Sequence, residues 1–311
     1  MEMRWRGVLP AITTPFNSDL SVDHPFLARH ARWLVENGCT GIVALGSLGE
    51  GATLANAEKE LVLKTCIDAV GDLVPIVAGI SSLSTADAIE VAQMARRVGC
   101  SGLMVLPPYV YLGDWRETKA HVSAILSATD LSCMLYNNPI AYRVDFLPAH
   151  VCELLGDHPN LHAIKESSAD IRRVTALRAI AGDRLEILCG VDDAIVEAVQ
   201  AGAVGWIAGL VNAYPKESVE LFNLAVAGSL AEAFSLYRWF LPLLRLDTVP
   251  KFVQLIKLVQ EEVGMGSRRV RPPRLELTGA ELQETMHLIA TAKSTYPASL
   301  LSSERKATHS A

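Results

Sequence analysis

The chain has 311 residues, 50% of them hydrophobic and 20% charged, and a formal net charge of -6. That composition can bury a large core, while the acidic balance leaves no basic footprint for nucleic acid. The longest apolar runs are broken by charges, so no membrane partner is expected.

Strand-like and helix-like runs alternate along most of the length. Residues 7–13 predict a first strand and 23–36 a helix capped by Asp23. The strand at 41–45 is followed by a helix over 56–70, then come 75–79 with 84–98 and 102–106 with 114–127. The later pairs are 132–136 with 147–155, 161–165 with 170–181, 185–189 with 192–201, and 204–207 with 215–227. A segment echo supports the pattern: Asn37-Gly-Cys-Thr-Gly-Ile-Val-Ala-Leu-Gly46 recurs as Val98-Gly-Cys-Ser-Gly-Leu-Met-Val-Leu-Pro107, and more loosely at 201–210. Each copy ends a helix on glycine and enters a strand without strict alternation, as strands buried on both faces do. Eight such units predict an α/β fold, a (β/α)8 TIM barrel with additional C-terminal helices near 230–244, 251–263 and 279–293. An open doubly wound sheet is the alternative. The expected division is a catalytic barrel over 1–228, a helical appendage over 229–300 and a flexible tail over 301–311. Arg4 and Arg6 have no apolar run behind them, so no signal sequence is expected. Six cysteines without a C-x-x-C pair predict reduced thiols in a cytoplasmic protein.

In a barrel of this kind chemistry gathers at the C-terminal ends of the strands. The predicted ends carry Thr13-Thr14, Gly46-Ser47-Leu48-Gly49-Glu50, Tyr109, Tyr136-Asn137-Asn138-Pro139, Lys165-Glu166-Ser167, Cys189-Gly190 and Ala208-Gly209. Lys165 stands out. A buried, unpaired lysine loses its proton readily and becomes a nucleophile toward carbonyl carbon; an isolated lysine capping a strand in solvent would carry no chemistry. The loop around Gly46 is neither a P-loop nor a dinucleotide fingerprint, but its amides suit a small anion such as a carboxylate. Glu50 and Glu166 read as structural, bonding backbone or capping helices. His162 reads as a packing residue. The histidine spacing predicts no metal, and nothing points to a flavin or nicotinamide.

Gly46-Ser-Leu-Gly-Glu50, Tyr136-Asn-Asn-Pro139 and Ile164-Lys-Glu-Ser167, in that order, resemble the dihydrodipicolinate synthase / N-acetylneuraminate lyase family over nearly the whole chain. The resemblance implies a barrel with C-terminal helices, a homotetramer or homodimer, and a lysine Schiff base with a small-molecule 2-oxo acid in place of a bound cofactor. By resemblance, Lys165 is the Schiff-base lysine and Tyr136 the proton shuttle, and Ser47 links Tyr136 toward Tyr109 in a relay. The Ser47 and Leu48 amides would hold the substrate carboxylate, Ile207 would turn its carbonyl to the site, and Asn138 and Arg143 would contact substrate. Two positions depart from the family pattern. Leu48 replaces a threonine, and Ala141 stands where synthases that make dihydrodipicolinate carry an arginine, with Arg143 two residues on. Leu246-Asp247 and Arg271–Leu275 are similar to the branch of 1-pyrroline-4-hydroxy-2-carboxylate deaminases. The first expectation is therefore that deaminase, dehydrating and deaminating its substrate to 2,5-dioxopentanoate and ammonia. The alternatives are a pyruvate-dependent aldolase or synthase, a 2-keto-3-deoxy sugar acid dehydratase or aldolase, and a non-catalytic 2-oxo-acid sensor, which would be expected to have lost Lys165 or Tyr136.

Overall fold

The structure, a computed structural model, describes residues 2–109 and 111–297; the tail expected at 301–311 lies outside the described residues. Its centre is one sheet of eight parallel strands: β1 (Gly7–Pro10), β2 (Ile42–Ala44), β3 (Ile76–Ile80), β4 (Gly102–Val105), β5 (Ser132–Asn137), β6 (Leu161–Glu166), β7 (Glu186–Cys189) and β8 (Gly205–Ala208). The hydrogen-bonded order runs β1-β8-β7-β6-β5-β4-β3-β2. A parallel bridge between Ala11 and Val43, with the Ile12 amide donating to the Val43 carbonyl at 2.9 Å, brings the two ends together. This is a (β/α)8 TIM barrel, not the open sheet. The strands are buried almost throughout, as two covered faces require.

Twelve α-helices, one of them a single turn, accompany the strands among the described residues: α1 (His24–Glu36), α2 (Asn56–Val70), α3 (Thr85–Val98), α4 (Trp115–Ser127), α5 (Pro139–Tyr142), α6 (Pro148–Asp157), α7 (Arg172–Ala181), α8 (Ile195–Gln200), α9 (Pro215–Val226), α10 (Leu230–Leu244), α11 (Phe252–Glu262) and α12 (Gly279–Ser294). Local signals set many of their starts. Asp23 accepts from the Phe26 amide at 2.9 Å and Ser84 from the Asp87 amide at 3.1 Å, each satisfying an orphan donor of a first turn. The predicted helix over 192–201 begins instead as a 3-10 turn, Asp192–Ala194, whose Asp192 side chain turns inward and accepts from the Gly209 and Leu210 amides past β8. The four-residue α5 was not foreseen; Asn138 caps it through the Ala141 amide, and Pro139 pre-sets its first φ.

The C-terminal helices are fastened to the barrel by charge as well as by packing. Glu50, in the loop after β2, and Lys257 of α11 form an ion pair of 2.5 Å whose side chains are 0% and 2% exposed. Glu50 also accepts from the Arg271 amide at 3.0 Å. The Arg271 guanidinium makes paired bonds to Glu58 of α2 and covers the Phe16 ring at 4.7 Å. Glu50 is thus structural, as its position suggested, and Arg271 has a clamping role. All six cysteines are unpaired, five of them buried. No described helix is long and apolar enough to cross a membrane.

Candidate active site

Strand register creates the central pair. Tyr136 and Lys165 are direct partners across β5 and β6, so both side chains point to the same, inner side. Their neighbours Asn137 and Glu166, one residue on, point the other way and bond each other at 2.9 Å. Asn137 further accepts from the Phe146 amide, and Glu166 from the Ser168 amide, so the outward pair braces the loops behind the site. The inward pair is left for chemistry. The Lys165 ammonium nitrogen lies 4.3 Å from the centre of the Tyr136 ring. Both residues are buried, at 7% and 6% exposure. Burial, the largest influence, pulls the lysine below its ordinary range, opposed first by the charge of Asp247. Burial likewise pushes the Tyr136 phenol up to about 12. Both shifts favour the uncharged forms of the two groups.

Two glycines make room for this arrangement. A Cβ on Gly190, just past β7, would stand 2.6 Å from Lys165 Cε and 2.0 Å from Ser167 Oγ. A Cβ on Gly209, just past β8, would stand 2.0 Å from Asp247 Oδ1. The second carboxyl in the chamber, Asp192, accepts from Trp206 Nε1 at 2.9 Å and from the Gly209 and Leu210 amides. Burial raises it to about 6, against the pull of those bonds. Asp247 is raised well above the ordinary carboxyl range, by burial first and then by the Asp192 charge.

The remaining expected residues distribute unevenly. Ser47 bonds the phenol of Tyr142, at the end of α5, and not that of Tyr109. Tyr109 donates to the Ser81 carbonyl at 2.7 Å, so the expected Ser47–Tyr109 link is replaced by Ser47–Tyr142. The one turn of α5 swings Tyr142 back over the strand ends, its ring edge-on to Tyr136 at 5.7 Å. Burial raises its phenol as well. Asn138 donates to the Tyr136 hydroxyl at 3.1 Å and accepts from the Ala141 amide, which gives it a holding role for the phenol. The Ser47 and Leu48 amides, in a loop where Leu45 and Glu50 both adopt positive φ, have no protein acceptor among the described residues. Ile207 lies within β8, paired with Leu9. Arg143 is exposed, with φ 59°, at the end of α5. No group of three His, Cys, Asp or Glu suited to a metal occurs among the described residues.

Tyr142, Asp192 and the placement of Asp247 beside the lysine were missed from sequence. Asn138-Pro139 was the available signal for Tyr142, since a cap followed by proline starts a helical turn. Nothing local marks Asp247, which reaches Gly209 from the segment after α10.

Residues 4–292 match the Dihydrodipicolinate synthetase family. The chain belongs to that family. A 4-hydroxy-tetrahydrodipicolinate synthase of Desulforamulus reducens is 30% identical over 282 residues, covering 91% of this chain and 95% of the relative. The 4-hydroxy-tetrahydrodipicolinate synthase structure from Methylacidiphilum fumariolicum SolV superposes with a TM-score of 0.90 at 28% identity, over 94% of this chain and 97% of that one. A dihydrodipicolinic acid synthase family protein of E. coli K12, solved in complex with pyruvate, superposes at 0.87 with 26% identity over 93% and 98%. Within the dihydrodipicolinate synthetase family, the barrel and its C-terminal helices are shared with these structures.

Proposed function

We propose that the protein is a lysine Schiff-base enzyme of 2-oxo acids, with pyruvate-dependent aldol chemistry of the synthase type as its leading activity. The observation that carries this reading is the buried Lys165 amine in register with, and 4.3 Å from the ring of, Tyr136. The names of the relatives support the synthase alternative over the deaminase expected first from sequence. The pyruvate in the E. coli K12 relative supports the same substrate class here.

The neutral amine of Lys165 attacks the C2 carbonyl carbon to give a carbinolamine. Tyr136 gives its phenolic proton to the departing hydroxyl, water leaves, and a protonated imine forms. The phenolate then removes a proton from C3, and the electron pair moves to the imine nitrogen as the enamine. A phenol raised to about 12 makes a strong base once it has given up its proton. The unpaired Ser47 and Leu48 amides are proposed to bind the 2-carboxylate, Ile207 to present its carbonyl, and Tyr142 to replace Tyr109 in the proton relay through Ser47. A homotetramer or homodimer in the cytoplasm, without a further cofactor, completes the proposal. Exposed Leu83, Tyr111, Leu112 and Ile140 near the strand ends support self-association.

A second reading, dehydration and deamination of a 4-hydroxylated cyclic imine, shares every step up to the enamine. Two observations favour it: Ala141 has no charge with which to hold an aldehyde's carboxylate, and Asp247 places a second acid near Lys165. Borohydride reduction in the presence of pyruvate, read by mass spectrometry, tests the shared half; an active preparation without an adduct on Lys165 would refute it. Ring formation from pyruvate plus aspartate semialdehyde, against ammonia release from 1-pyrroline-4-hydroxy-2-carboxylate, separates the two readings.

A further inference from the structure

Two carboxyl groups share the chamber with Lys165, and the protein treats them differently. Asp192 is held at both oxygens by an indole and two backbone amides. Asp247 Oδ1 is fully buried and has no hydrogen-bond partner. A buried carboxyl left without a donor costs stability unless something outside the fold completes it. Its setting is built and not accidental. Gly209 is the one residue type that lets the carboxyl sit where it does, because any Cβ there would fall 2.0–2.6 Å from its atoms. The carboxyl arrives from the 3-10 turn Arg245–Asp247 over the end of β8, adjacent to the end of β7 where Gly190 accommodates Lys165. Ionised, Asp247 would act on Lys165 more strongly than any other charged neighbour, which sets the two groups close together.

Three ionisable groups therefore lie buried together: an amine, a carboxyl whose Oδ1 no donor reaches, and a carboxyl fully engaged by Trp206, Gly209 and Leu210. Two close carboxyls do not both ionise, and the one lacking donors keeps the proton. That assigns the roles. Asp192 is the fixed negative charge, and Asp247 is the group with a proton to give.

We infer that Asp247 is the acid that protonates the oxygen on C4 of the Lys165-bound substrate. The inference rests on the Schiff-base reading proposed above and holds for either outcome of it. In the aldol direction, the enamine C3 attacks the aldehyde carbon, the carbonyl π electrons move to oxygen, and that oxygen takes the Asp247 proton to become the C4 hydroxyl. In the dehydration, the enamine pair breaks the C4–O bond and the departing oxygen takes the same proton, leaving as water. Each step ends with a protonated imine on Lys165 and a carboxylate on Asp247, so the acid becomes the counter-ion of the cation it helped to form. The reverse directions return the proton to Asp247.

The test separates the half-reactions in the full-length enzyme. Exchange of pyruvate methyl protons for deuterium, followed by proton NMR, reports Lys165 and Tyr136 without any C4 oxygen. Turnover of pyruvate plus aspartate semialdehyde and of 1-pyrroline-4-hydroxy-2-carboxylate reports the step assigned to Asp247. For Asp247→Asn, exchange and borohydride trapping are expected to persist, while turnover of the accepted probe falls about 10²–10⁴-fold further than exchange does. Retained exchange also demonstrates that the variant is folded. For Asp192→Asn, exchange and turnover are expected to fall together with stability, since three donors lose a charged acceptor. Turnover of Asp247→Asn within tenfold of the parent, or loss of exchange as complete as loss of turnover, would overturn the inference. A parent that exchanges deuterium but converts neither probe would overturn it as well. A parent that neither traps nor exchanges would instead refute the Schiff-base reading, and the role of Asp247 would fall with it.

Discussion

Gly190→Ala adds one methyl group and no charge, yet the structure places that methyl against the reactive side chain. Its Cβ would stand 2.6 Å from Lys165 Cε and 2.7 Å from Cγ, whereas ordinary contact begins at 3.4 Å. The lysine stem must therefore retreat by about 0.8 Å at two points, so a simple swing of the terminal atom does not relieve the contact. Misplacing a reacting group by about 1 Å costs about 10²-fold in rate. We expect kcat to fall by about that factor and borohydride trapping with pyruvate to slow in parallel, with overpacking lowering stability by about 1–3 kcal/mol. Gly156→Ala is the control: it lies in α6 with nothing within 4 Å of its added Cβ. That substitution is expected to stabilise by about 0.4–1 kcal/mol and to leave turnover alone. Trapping kinetics, steady-state turnover and urea denaturation on the three proteins give the answer. Parent-like turnover in Gly190→Ala would refute the claim that a fixed Lys165 stem is what the site depends on.

Other consequences are as direct. Glu50→Gln leaves Lys257 buried without its counter-charge, and a denaturation midpoint should report a loss of about 3–5 kcal/mol. Tyr142→Phe removes the partner of Ser47 and should lower kcat/KM about tenfold, the scale of one hydrogen bond, whereas Tyr109→Phe should change it less than about threefold. His30, whose ring donates to the Asn212 carbonyl, is pushed down by burial to about 4 from an ordinary 6.5. Between those values the unfolded chain binds a proton that the folded one does not, so stability should decline as pH falls from 6.5 to 4 and be unaffected above 6.5. The loss from this group approaches about 3 kcal/mol, and His30→Gln should flatten that limb of a stability–pH curve.

Lys165 and Tyr136 were legible because their position depends on strand ends and side-chain alternation, both of which leave a local trace. The barrel was legible for a similar reason: the repeated helix–glycine–strand junction at 37–46 and 98–107 is a short-range pattern. Tyr109 was a misreading of distance. It follows the fourth strand as expected, but its hydroxyl reaches the Ser81 carbonyl, and Tyr142 on an unforeseen turn meets Ser47. Asp247 was noted as half of a Leu-Asp pair, yet its place beside Lys165 depends on the turn after α10 packing against Gly209. Contacts across 80 residues of chain have no local periodicity to betray them, and Glu50 and Lys257 lie 207 residues apart.

The Glu50–Lys257–Arg271 fastening also bears on when the molecule becomes competent during synthesis. A ribosome delivers Glu50 first and its ammonium partner 207 residues later, an interval of about 10–40 s at ordinary elongation rates. Through that interval the loop preceding Glu50, with its two free amides, has no clasp. Because β8 is complete before Lys257 emerges, the barrel can close its strands before this loop is clasped, and the last helices to emerge act as its latch.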